Sequence, residues 1–151
     1  MKNMNSYFKE CLDKGKIRPF SRGKILVSKE TKLAFSDLQS AKKSFEEGNY
    51  KWSIIQTYYS MFHSARALLY AQNFREKSHF CLIEAIRAFY VEKRILNFEF
   101  VEALQKAKNL REEADYYGEF SKDNAGDLLK KATEFLKQIK IILGKLYSKN
   151  P

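Results

Sequence analysis

The chain has 151 residues, 44% of them hydrophobic, with two prolines and six glycines; that is the length of one domain able to bury a core unaided, and it excludes collagen, linker and disordered classes. No apolar run reaches the ~18–20 residues needed to span a bilayer, and the most hydrophobic stretch, 54–71, is broken by Gln56, His63 and Arg66. The formal net charge of +10 suits nucleic acid or an acidic protein partner and is silent about fold.

Taken in chain order, residues 3–13 can form a short first helix. Gly15, Pro19 and Gly23 then predict an extended connection over 14–27. Nine basic residues stand against Glu10, Asp13 and Glu30 in the first 32, a net +6. Such an arm is either solvated or a contact for RNA or an acidic partner. Ser28 is placed to cap the next helix, where Ala34, Leu38, Ala41 and Phe45 recur on one face. Gly48-Asn49 stops it. Residues 50–72 carry the strongest helical pattern: Ile55, Tyr58, Phe62, Ala65 and Leu69 form a stripe that Ile54, Met61 and Leu68 widen. A stripe this broad marks a central helix touched on several sides, with its aromatics in the core.

Residues 73–77 form a polar connection. Ser78 caps a helix reaching about Lys93, with Leu82, Ile83, Ile86 and Tyr90 inward. Asn97 caps a helix over 98–116 whose stripe reads Phe100, Leu104, Ala107, Arg111, Ala114. A loop follows, and a last helix over about 124–147 turns Leu128, Ala132, Phe135, Ile139, Ile142 and Leu146 inward and its lysines outward. No strand pattern competes and no repeat is evident. The result is an all-α fold: an antiparallel, up-and-down bundle of about five helices spanning 28–148, behind a basic N-terminal segment, 1–27.

No phosphate-binding glycine loop, nucleophile elbow or zinc-protease motif is present. Cys11 and Cys81 form no C-x-x-C pair, and with only two histidines the ligand set for a metal is poor. No metal or cofactor is expected. Few cysteines and no secretory signal fit a reducing cytoplasm. His63, on the central helix, is either a hydrogen-bonded core or interface residue or a proton-transfer or RNA contact. His79 opens its helix after Arg75 and Lys77; the three are either surface residues or, with the helix N-terminus, a phosphate site. Arg111 lies on an apolar stripe, four residues before Asp115. It either braces the helix by pairing with Asp115 or binds an anion in a cleft. Tyr116 and Tyr117 beside it can stack on a base or a partner side chain.

The run YYSMFHSARALLYAQNFREKSH (58–79), followed by REEADYY (111–117), resembles the HEPN domain of prokaryotic genomes across about residues 30–145. The resemblance implies a dimerising antiparallel helical bundle. It implies a partner, a separate minimal nucleotidyltransferase, in a toxin–antitoxin-like pair, with nucleotide or RNA bound in the dimer cleft. Many family members are metal-independent ribonucleases using an arginine and a histidine with four to six residues between them. Here Arg111 is followed at that spacing by Tyr116, and Arg75 precedes His79 by one residue too few. The resemblance therefore points first to a binding module, then to an endoribonuclease, and third to a structural partner of the nucleotidyltransferase.

Overall fold

The computed structural model describes the backbone of residues 4–117 and 120–148 and the side chains of residues 6–113 and 120–148. Six helices are present among them: α1 (Met4–Asp13), α2 (Gly23–Glu46), α3 (Tyr50–Tyr70), α4 (His79–Ile86, continued by a π-helical turn Arg87–Val91), α5 (Phe98–Tyr117) and α6 (Lys122–Ser148). Two three-residue strands, β1 (Ile17–Pro19) and β2 (Phe74–Glu76), pair antiparallel with Ile17 opposite Glu76. The bundle is all-α in class, as its apolar stripes predict.

Helix α3 is the central element and packs against α2, α4, α5 and α6. Its closest neighbour is α2, and small residues explain the approach. Ala34 and Ala41 of α2 and Ser53 and Ser60 of α3 are fully buried. Ser53 donates its hydroxyl proton to the Ala41 carbonyl at 2.9 Å, and Ser60 donates to the Ala34 carbonyl at 2.8 Å. Each hydroxyl is thereby satisfied without water, which a buried donor requires. The hairpin between the two helices turns at Gly48, whose φ of +77° is a left-handed conformation that favours glycine. Asn49 then caps α3 by accepting the Trp52 amide. On the other side of α3, α5 and α6 bury Leu104, Leu128, Phe135 and Ile139, with Phe100 stacked on Phe135 at 5.5 Å. Full burial of one such side chain contributes roughly 1.5–3 kcal/mol, so this layer supplies much of the driving force.

The two predicted caps that frame α4 and α5 are present. Ser78 accepts the Cys81 amide at 3.1 Å, and Asn97 accepts the Glu99 amide at 2.9 Å. Tyr90, wholly buried, donates to the Leu68 carbonyl at 2.6 Å and accepts from Gln72; burial pushes its phenol up to about 12. Three features differ from expectation. The extended connection over 14–27 is shorter, because α2 begins at Gly23 and not after Ser28. The Gly23 amide donates to the Phe20 carbonyl while the Phe20 amide donates to Asn73, folding this turn onto the end of α3. A Cβ on Gly23 would stand 2.3 Å from the Tyr70 carbonyl oxygen, so only glycine fits. The strands are the second difference: three residues carry no alternation to read, and docking of the two segments creates them. The third is a disulfide. Cys11 and Cys81, 70 residues apart, are joined with their Cα atoms 5.8 Å apart, tying α1 to α4, where the sequence suggested two separate cysteines suited to a reducing compartment.

No described helix is long and apolar enough to cross a membrane.

Candidate functional site

Two distant motifs meet at one tyrosine. Tyr58 is 1% exposed, on the side of α3 that receives the start of α4 and the second half of α5. The Ser78 cap starts α4 at His79, and this holds the imidazole over α3. There the His79 Nδ1 and the Tyr58 hydroxyl are hydrogen-bonded. Phe62, one turn along α3, packs on the imidazole with ring centres 4.8 Å apart. From α5, the Arg111 guanidinium lies over the rings of Tyr58 and Tyr59, at 5.4 and 5.1 Å, where the ring quadrupoles attract a cation. Lys108, on the same face of α5 one turn earlier, bonds Glu112 at 3.1 Å. It also packs with Tyr58, Phe62, His79 and Leu104 around a crevice too narrow to hold a water molecule.

The charge states follow from burial. Burial raises the Tyr58 phenol well above its ordinary value, against the opposing pull of Arg111. Burial lowers His79 below 6.5, and the nearby Lys108 and Arg111 push the same way while Glu76 opposes them. At neutral pH the pair is therefore a protonated phenol and a neutral imidazole. A buried tyrosine hydroxyl needs an acceptor, and among the described residues the His79 Nδ1 is the one it has. That assignment places the imidazole proton on Nε2, which makes Nε2–H a donor. His79 Nε2–H, the Lys108 ammonium and the Arg111 guanidinium together make a set of donors walled by aromatic rings. Such a set fits a phosphate with an adjoining base or sugar.

The other candidate residues fall elsewhere. His63 bonds Glu30 at 2.6 Å and approaches Asp37 at 3.7 Å. Arg66 bonds Glu76 at 2.7 Å, reaches toward Glu30 at 3.9 Å and stacks on Phe62 at 4.3 Å. Glu30 and Glu76 are both buried. This is a network of α2, α3 and β2 in which His63 and Arg66 both meet carboxylates. Burial raises Asp37 against the field of His63. The Arg75 guanidinium lies over Phe20, and the Lys77 amide donates to the Lys16 carbonyl; no described contact joins either residue to His79. The side chains of Asp115, Tyr116 and Tyr117 lie outside the described residues. Tyr58, Tyr59, Phe62 and Lys108 were not singled out in the sequence as site residues. For Tyr58 the signal was a hydroxyl on a core stripe, which demands a partner. For Lys108 it was a cation three residues before Arg111 on the same face.

Comparison with known proteins places these features in context. The HEPN domain family model matches residues 29–142. A protein of Archaeoglobus fulgidus named "UPF0332 protein" is 38% identical over 110 residues, covering 72% of this chain and 87% of its own. A protein of Methanocaldococcus jannaschii named "Putative toxin MJ0605" is 30% identical over 109 residues, 72% of this chain and 81% of its own. A second from that organism, "Putative toxin MJ0142", is 28% identical over 121 residues, 79% and 82% of the two chains.

Proposed function

The chain belongs to the HEPN domain family, and we propose that it is the RNA- or nucleotide-binding member of a toxin–antitoxin-like pair. In this reading His79, Lys108 and Arg111 hold a phosphate, and Tyr58, Tyr59 and Phe62 wall the place of an adjoining base. The observation that carries it is the Tyr58–His79 hydrogen bond. It commits Nδ1 as an acceptor and leaves Nε2–H as a neutral donor beside two cations, Lys108 and Arg111, an arrangement for binding anions and not for removing a proton. Two relatives that carry the name of toxin support the toxin-like role. A homodimer with the ligand in its cleft, a minimal nucleotidyltransferase as antitoxin, and a cytoplasmic setting complete the proposal.

The second reading, a metal-independent endoribonuclease, is favoured by one feature. α4 supplies to Arg111 the histidine that the spacing within α5 lacks, and burial keeps that histidine neutral. A neutral imidazole becomes a general base if Tyr58 lets Nδ1 take the proton. One pair of measurements separates the readings. Anisotropy titrations with a labelled single-stranded RNA are expected to show salt-dependent binding, while the same RNA incubated with the protein in EDTA stays intact. Cleavage in EDTA that disappears in His79→Ala would establish the enzyme instead. No binding and no cleavage would leave neither reading standing.

A further inference from the structure

A second surface lies away from this site, between the N-terminal half of α2 and the C-terminal half of α6. Two adjoining hollows there, of about 310 and 350 Å³, share Ser28, Thr31 and Lys140, so they form one groove. Its floor is apolar: Val27 and Leu143 are buried beneath it, and Phe35 and Tyr147 stand half-exposed at its edges. Ile25, 71% exposed, lies on the same line of α2 as Ser28, Lys32 and Phe35, at spacings of three, four and three. From Ile25 to Phe35 the helix rises roughly 15 Å, about three turns. Exposed apolar side chains spaced along a groove of that length match the footprint of an amphipathic helix.

The charges around the groove are of one sign. Lys24, Lys32 and Lys140 line it, and no carboxylate does. Lys140 extends over the ring of Phe35, 5.4 Å from its centre. Gly144 shares the face of α6 that carries Lys140, Leu143 and Tyr147, and a Cβ built there meets nothing within 4 Å. Glycine inside a long helix weakens it; on this face it leaves the backbone bare for close approach. We propose that the α2–α6 groove binds an acidic amphipathic helix of a partner protein, whose apolar residues cover the floor while its carboxylates meet the three lysines. A second copy of the same groove would bring lysines against lysines, and the aliphatic floor suits a protein side chain better than a nucleotide.

The test uses the full chain, isotopically labelled for NMR, and three probes. One is a synthetic helical peptide with leucines three and four residues apart flanked by glutamates, the second is the same peptide with lysines for glutamates, and the third is a single-stranded RNA. The acidic peptide is expected to shift the amide signals of 24–35 and 140–147. It should bind at least about tenfold more tightly than the lysine peptide, weaken with salt, and lose about tenfold or more in Phe35→Ala and Lys140→Glu. Both variants are exposed-surface changes whose folding is checked by melting. Equal affinity of the two peptides, or shifts elsewhere, overturns the proposal. So does RNA shifting the groove while the acidic peptide does not. If Phe35→Ala or Lys140→Glu converts a dimer to a monomer by light scattering, the groove is a contact between copies and the proposal fails.

Discussion

His63 and His79 both press on the ring of Phe62, with ring centres 5.6 and 4.8 Å from it, yet their surroundings differ in kind. Around His63 the polar groups close on one another: Glu30, Asp37 and Glu76 partner His63 and Arg66. Around His79 they accumulate. Arg111 lies over two tyrosine rings there, and Lys108, bound to Glu112, stands one turn before it. A balanced buried network holds helices together and has little left to offer a ligand. A set of donors beside aromatic faces keeps its capacity for an anion. The two histidines look alike in sequence, each beside aromatic and basic residues, and only their carboxylate partners tell them apart.

The largest expected effect tests the closed network. Arg66→Ala leaves Glu30 and Glu76 buried without their guanidinium, and breaking a buried pair in this way costs about 3–5 kcal/mol. Urea unfolding should show that loss, with RNA affinity per folded molecule changing far less. A fall in affinity as large as the fall in stability would erase the distinction between the clusters. Next in size is the covalent tie. The Cys11–Cys81 disulfide closes a loop of some seventy residues and holds the start of α4, so reduction should lower stability by about 2–4 kcal/mol. Melting with and without a dithiol reductant measures it; an unchanged melting temperature would mean that the bond does not form in solution.

Arg111→Ala should act in the opposite sense to Arg66→Ala. Melting should hardly move, while RNA or nucleotide binding weakens by about 1.5–3 kcal/mol, the value of a charge-assisted hydrogen bond. Anisotropy titration beside a melting curve decides, and a lowered melting temperature with unchanged binding would make Arg111 a brace. The smallest effect concerns pH. His79 titrates lower in the folded protein than its ordinary 6.5, so its contribution to stability is present above 6.5. It is lost as pH falls through 6.5 toward the folded value, where the unfolded chain takes up a proton that the native state resists. Asp37 and Glu84, raised by burial, have the opposite sign: their contribution is present at low pH and is lost as pH rises through their folded values. The slope of stability against pH below 6.5 should therefore flatten in His79→Asn. An identical slope would show that His79 is not held neutral by the fold.

Much of the fold was legible because it rests on local rules. Phe100, Leu104 and Ala107 repeat at helical spacing, as do Leu128, Ala132 and Phe135, and Ser78 and Asn97 cap as their side chains allow. The β1–β2 pair, the early start of α2 at Gly23 and the disulfide were hidden because each depends on segments meeting across more than 40 residues. The site was half legible. His79 and Arg111 could be picked out, one as the start of a helix and the other as a charge on an apolar stripe. Their meeting at Tyr58 is a product of packing three helices, and a tyrosine on a core stripe reads as one more apolar ring. His63 shows the same limit from the other side, since nothing local to α3 announces Glu30 from α2.

The central claim is that His79, and not His63, belongs to the ligand site. Its most direct test is the RNA affinity of two variants, His79→Ala and His63→Ala, each measured by anisotropy and corrected for the folded fraction from melting. The account predicts at least about a tenfold loss for His79→Ala, and for His63→Ala a lower melting temperature with affinity kept. The reverse pattern, binding lost with His63 and retained without His79, would contradict it.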